Sequence, residues 1–230
     1  QLFDMLHSMR QFDDLTYVHS VNVALIASIL GQWLKFSEKD IRILTISGLL
    51  HDIGKIMIPN EILTKPGKLT VAEYNIMKQH VNFGYEKVKN QNIDIRIKEA
   101  CLLPHEKCDG TGYPFGLKSD HIPAVAKIIA IADVYDAMTS ARVYRGALCP
   151  FEVIDTMYKD AFTKFEPEYI LPFLKNVASS YINNDVRLSD GRIGKVVLIN
   201  ENALSLPIVQ CEDEFIDLSK TRGLTVSAIL

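Results

Sequence analysis

The chain has 230 residues, 48% of them hydrophobic and 23% charged, with a formal net charge of -3. That length holds one large domain, or one domain with a small appendage, and the composition is that of a folded globular protein rather than a disordered one. The slightly acidic balance argues against a dedicated DNA or RNA binder, and no uninterrupted apolar run reaches the roughly 18 residues needed to span a bilayer. The four cysteines, Cys101, Cys108, Cys149 and Cys211, form no CxxC pair. They fit a reduced, cytoplasmic chain rather than a disulfide scaffold or zinc finger. The opening, QLFDMLHSMR, has no initiator methionine or signal peptide and reads as a fragment or processed product, which leaves room for an upstream sensory domain.

In chain order, Val18, Val21, Leu25, Ile29 and Trp33 recur at three- and four-residue spacing, which predicts an amphipathic helix over 16–35 with this stripe turned inward. Ser37 is an N-cap for a second, more buried helix ending near His51. Gly54, Pro59, Pro66 and Gly67 punctuate an irregular crossing. Thr70 and Glu73 form a capping box, and Val71, Tyr74, Met77, Val81 and Tyr85 predict one face of a single helix. A helix near 93–104 leads into the glycine-rich loop KCDGTGYPFG, and Pro123 opens a long helix through AVAKIIAIADVYDAMTS. Two more helices follow, near 150–163 and 167–181. After Tyr181 the segments become short and β-branched, with Asp190-Gly191 and Asn200-Glu201-Asn202 as turns. The expected architecture is mainly α: a helical bundle over residues 1–181 and a small β-rich unit over 182–230.

Several polar residues sit where burial is costly. His51 and Asp52 end the apolar run ISGLL. By themselves they fit a hydrogen-bonded pair, a helix cap or metal ligands, and a buried histidine hydrogen-bonded to a neighbouring carboxylate is the commoner case. His19 and His80 each lie mid-helix, where a satisfied core histidine is the commoner case, and His105 opens the glycine-rich loop. Asp133 is embedded in an apolar helix, where an unpaired carboxylate costs several kcal/mol, with Asp136 one turn away. Together these residues make the ordinary readings harder to hold. Imidazoles and carboxylates on separate segments are the natural ligands of a divalent metal cluster, in which Asp52 is placed to bridge. Spacing alone does not show that they converge.

The order His19, HDIGK, HVNFG, HEKCDGTGYP and ADVYDAMTSARVYR resembles the HD-GYP family, a branch of the HD-domain metal-dependent phosphohydrolases, from about residue 12 to 180. The resemblance implies an HD-domain helical bundle and hydrolysis of the bacterial second messenger cyclic di-GMP to pGpG, GMP or both. It implies metal ligands at His19, His51, Asp52, His80, His105 and Asp133, holding two divalent ions, iron or manganese. His19, His51 and Asp133 would hold one ion and His80 and His105 the other, with Asp52 shared. Lys55 matches the family's HD-x-x-K lysine and would act beside the scissile phosphate with Asp52. Asp109, Gly110, Gly112, Tyr113, Asp136, Arg142 and Arg145 are the expected substrate-facing positions, although tight loop packing and a solvated helix end are the plainer readings of the glycines and arginines.

Two departures from the family pattern bear on rate. Pro104 stands where members often carry an additional histidine before His105, and Leu15 stands where three-metal members carry a glutamate. Neither side chain ligates a cation, so two ions are expected rather than three. The alternatives to a cyclic di-GMP phosphodiesterase are a signalling module that binds metal and nucleotide with weakened turnover, or an HD phosphohydrolase acting on another nucleotide. The tail over 182–230 carries no chemistry of its own and is assigned to packing or homodimer contacts.

Overall fold

A computed structural model describes residues 14–140 and 146–230. The chain parts into two compact units, Gln1–Ala137 with Thr163–Tyr169, and Met138–Phe162 with Ile170–Leu230.

The first unit is helical. Helix α1 (Asp14–Trp33) and α2 (Glu38–Leu50) form an antiparallel pair, with the Ser37 hydroxyl capping α2 by accepting from the Asp40 amide at 3.2 Å. A 3₁₀ turn (Ile53–Met57) follows, then α3 (Asn60–Leu63), α4 (Val71–Met77), α5 (His80–Val88), α6 (Ile95–Leu102) and α7 (Ala124–Thr139). Val23, Ala27 and Leu30 of α1, Leu44 and Leu50 of α2, Val81 and Val88 of α5, and Ile128, Ile129 and Ile131 of α7 are fully buried.

The inward face of α1 is not the large-residue stripe. Val18, Leu25, Ile29 and Trp33 are exposed, and the helix buries His19, Ser20, Val23, Ala24, Ala27, Leu30 and Gly31 instead. The reason is close backbone approach. A Cβ built on Gly48 of α2 would stand 2.5 Å from the Ala24 Cα, and one on Gly31 would stand 2.7 Å from a Leu44 methyl. Small residues let the two helices meet more closely than large ones would. By length and composition α1 could also cross a membrane, but a core helix passes the same test.

The single helix expected over 71–85 is two. The capping box of Thr70 and Glu73 starts α4 as read from the sequence, but the helix stops at Met77 and α5 restarts at His80. None of α4 is buried, whereas α5 buries His80, Val81, Gly84 and Val88.

The second unit contains α8 (Pro150–Asp160), α9 (Pro167–Ser180) from Ile170 onward, and five strands: β1 (Asp185–Leu188), β2 (Ile193–Leu198), β3 (Ile208–Cys211), β4 (Glu214–Asp217) and β5 (Val226–Ile229). The strands form one antiparallel sheet in the order β4-β3-β2-β1-β5. Val186, Leu188, Val196, Val209 and Cys211 turn inward at period two. Gly191, at φ 94°, makes the β1–β2 turn. Secondary structure changes near residue 181 as the sequence pattern predicts, while compactness groups α8 and most of α9 with the strands.

Candidate metal centre and nucleotide site

The close crossing at Gly48 sets His19 of α1 beside His51 at the end of α2, with ring centroids 5.4 Å apart. The next residues must then turn against α5. A Cβ on Gly54 would lie 1.9 Å from the His80 carbonyl oxygen and 2.4 Å from the Gly84 amide nitrogen, so glycine is required there. This contact brings HDIGK onto the N-terminus of α5, where His80 stands. Loop residue His105 and Asp133 of α7 complete the group.

Two histidines are aimed the same way. His51 Nδ1 donates to the Gly48 carbonyl and His80 Nδ1 to the Met77 carbonyl, each at 2.7 Å and three residues back. Both therefore direct an Nε2 lone pair into the cluster. His19 is oriented by a carboxylate: its Nδ1 donates to Asp136 Oδ2 at 2.6 Å, while Asn22 donates to the other Asp136 oxygen at 2.9 Å.

The inward-facing atoms form two triads, His19–His51–Asp133 and Asp52–His80–His105, each with its candidate ligand atoms within 4.8 Å of one another. Asp52 has one oxygen toward each. Its Oδ2 is 3.3 Å from His51 Nε2 and 3.7 Å from His19 Nε2. Its Oδ1 is 3.3 Å from His80 Nε2 and 4.0 Å from His105 Nε2. Asp133 links the triads, 3.0 Å from His19 Nε2 and 3.3 Å from His105 Nδ1.

The electrostatics are those of a cation site. Asp52 is fully buried; burial alone would raise its pKa, but the charges of His51 and Lys55 hold the carboxyl well below the usual range. Burial works the same way on Asp133, and hydrogen bonds from His105 and His19 outweigh it. Burial pulls the His19 imidazole down, but its bonds to Asp133 and Asp136 prevail and push it up to about 9. Burial lowers His80. Lys55 Nζ donates to Asp52 Oδ2 at 2.5 Å, so the lysine does face the cluster.

The residues fit divalent cations on their own evidence. His51 Nε2 and Asp52 Oδ1 are buried without a hydrogen-bond partner, a cost that metal ligation would remove. His80 Nε2 and His105 Nε2 sit 3.0 Å apart. Nitrogens that close need a proton or a cation between them.

The glycine-rich loop packs against this cluster. Buried Glu106 accepts from the Phe115 amide at 2.7 Å and the Leu117 amide at 2.9 Å, tying the loop's far side to its start. Gly112 has no room for a Cβ, which would come within 2.6 Å of Glu106, Lys107 and His105 backbone atoms. Gly110 adopts φ 83°. The Asp109 carboxylate accepts from the amide and hydroxyl of Thr111, so it shapes the loop's own turn. The Tyr113 ring lies 5.0 Å from that of His105 at a 32° tilt, and burial pushes its phenol pKa upward.

Asp136, grouped on the sequence with substrate-facing positions, lies behind His19 and orients it. Arg142 and Arg145 fall outside the described residues. Sequence reasoning missed Asn22 and Glu106. Asn22 sits one turn after His19, the only signal pointing to it. Glu106 stood in plain view beside His105, but its two amide partners are nine and eleven residues on.

A family profile described as an HD domain matches residues 5–169. The chain belongs to the HD-domain family. The HD chain is 36% identical over 203 residues to the cyclic di-GMP phosphodiesterase PA4108 of Pseudomonas aeruginosa, covering 88% of this chain and 49% of that protein. It is 40% identical over 155 residues to the cyclic di-GMP phosphodiesterase response regulator RpfG of Xanthomonas campestris pv. campestris, covering 66% and 41%. The HD domain of the L. monocytogenes phosphodiesterase PgpH, solved in complex with cyclic-di-AMP, superposes with a TM-score of 0.59 at 18% identity, over 77% of this chain and 95% of that one, which supports the fold. The chain spans about half the length of the curated relatives it matches. The HD-GYP resemblance and the mainly helical HD fold with a β-rich tail are both upheld.

Proposed function

We propose that this chain is a metal-dependent phosphodiesterase that hydrolyses cyclic di-GMP to pGpG, GMP or both. One observation carries the reading: Asp52, fully buried, turns one oxygen to His19 and His51 and the other to His80 and His105, and has Lys55 at its side. In this reading His19, His51 and Asp133 hold one divalent ion, His80 and His105 a second, and Asp52 is shared, with iron or manganese suited to the mixed imidazole and carboxylate set. Such ions supply an activated water and relieve charge on the phosphoryl oxygens.

The chain's own residues then have distinct tasks. Asp52 and Asp133 provide the negative charge that holds cations together in a buried place. Lys55 offers an ammonium to a phosphoryl oxygen, or a proton to the leaving oxygen. Tyr113, whose phenol stays protonated, offers a neutral aromatic ring beside that of His105. Gly110 and Gly112 let the loop fold tightly against its own start, so that its backbone can face the ligand, and Asp109 keeps that loop in shape. Arg142 and Arg145 suit phosphate or guanine contacts, because a planar guanidinium can pair its N–H fork with two phosphate oxygens or with the edge of a guanine.

The second reading, a nucleotide-binding signalling module with weak turnover, is favoured by exposed Leu15 and buried Pro104 at positions where a cation would gain ligands. Anaerobically purified protein analysed for metal and assayed with cyclic di-GMP separates the two. The phosphodiesterase reading expects two ions per chain and release of pGpG or GMP. Two ions and tight nucleotide binding without product would support the module.

A further inference from the structure

Helix α4 is held firmly, although it buries nothing. Its N-terminus is closed by the Thr70–Glu73 capping box, Lys65 Nζ donates to both Glu73 oxygens at 2.8 and 2.6 Å, and the carbonyl of its last residue, Met77, receives His80 Nδ1. Ordering a helix costs conformational entropy that is normally recovered by burying an apolar face. Here Val71, Tyr74 and Ile76 remain exposed, with Tyr74 at 47%. Scattered exposed apolar residues are ordinary. Tyr74 is not scattered, because a series of rings runs from the candidate ligands to it. His105 lies 5.0 Å from Tyr113, and Tyr113 meets Tyr74 at 6.4 Å with the planes at 81°. Lys78 Nζ lies over the Tyr74 ring, 5.3 Å from its centroid, on a flexible side chain that a base on that face would displace.

A cyclic dinucleotide is larger than a pair of ion sites. With a phosphate at the His/Asp cluster, a purine must reach outward over the adjoining surface. The surface beside His105 is aromatic and ends in an exposed ring with an ammonium next to it. An aromatic face takes a base by stacking, and a neighbouring cation favours the anionic backbone.

We propose that Tyr74 is a base-stacking residue of the nucleotide site, with a purine of the cyclic dinucleotide lying on its ring and Lys78 beside the sugar-phosphate. The proposal rests on the phosphodiesterase reading and adds a binding residue to it. It also explains why a fixed helix with no buried face stands beside the cluster.

The test uses the metal-loaded chain and titration with cyclic di-GMP. Tyr74→Ala should weaken binding roughly 5- to 150-fold, the range that loss of one stacked base covers, with metal content unchanged. Tyr74→Phe should bind within about threefold of wild type, because the ring and not the hydroxyl is used. Trp33 is the chain's single tryptophan, so Tyr74→Trp adds a reporter whose emission should be quenched by the nucleotide beyond any change shown by Trp33. Wild-type affinity in Tyr74→Ala, or joint loss of metal and nucleotide, overturns the stacking role while the phosphodiesterase reading stands. If the wild-type chain binds metal but no cyclic di-GMP, that reading falls, and the stacking proposal with it.

Discussion

His19 has a carboxylate on each ring nitrogen, Asp136 at Nδ1 and Asp133 at Nε2, and two predictions follow from this pairing. The first concerns pH. His19 is raised from 6.5 to about 9. In metal-free protein, its protonated form therefore stabilises the fold fully below about pH 6.5, and that contribution is lost as pH rises through about 9. Melting of chelator-treated wild type should thus lose ground to His19→Gln across this window, at up to about 1.4 kcal/mol per pH unit. A cation taking His19 Nε2 must displace the same proton, so metal affinity should rise with pH over the same range. Parallel melting curves for the two proteins from pH 6.5 to 9 would contradict the assignment. The second concerns orientation. Asp136→Asn keeps the shape but can present an amide N–H to His19 Nδ1, so metal affinity should fall about 10- to 100-fold. Titration with Mn²⁺ reads this directly, and unchanged affinity would remove Asp136 from the support of the site.

At the scale of elements, the site depends on backbone contacts at two glycines. Gly54→Ala places a methyl against the His80 carbonyl. It should cost about 3 kcal/mol or more and weaken metal binding, because backbone cannot yield as a flexible side chain can. A thermal melt within a degree or two of wild type would refute that packing. These contacts also explain what the sequence could show. The candidate ligand residues were legible as types, since His51, Asp52 and Asp133 are costly to bury without a partner. The caps at Ser37 and at Thr70–Glu73 were legible because they are local. The inward face of α1 was not. Its periodicity fits Val18, Leu25, Ile29 and Trp33 as well as the face that is buried, and only the small residues meeting Gly48 decide between them. The break between α4 and α5 was hidden for a similar reason. It is tied to a bond from His80 Nδ1 to the Met77 carbonyl, and a continuous apolar spacing across 71–85 conceals it. Asp136 lay one turn from Asp133, and only tertiary packing shows that it turns toward the back of His19.

Across the whole chain, compactness and secondary structure divide the residues differently. Helix α8 packs with β5, and its residues Phe151, Val153, Ile154 and Met157 are buried within the unit that holds the sheet. The Phe151 and Tyr181 rings lie 5.6 Å apart in that unit. A chain ended after Tyr181 should therefore expose this face and aggregate or melt well below the full chain. A soluble 1–181 fragment melting like the full chain would establish the helical part as independent. The candidate ligands all belong to the first unit, so their chemistry can be tested in the full chain by a single substitution. The measurement is metal content and cyclic di-GMP turnover for wild type and Asp52→Asn, with circular dichroism on the same samples. Wild type should hold two ions and release pGpG or GMP. Asp52→Asn should lose metal and all turnover while keeping its helical spectrum, because the amide retains the shape but not the charge shared between the triads. Full metal and full turnover in Asp52→Asn would contradict the account, because they would show that the Asp52 carboxylate is not a ligand shared between two ions.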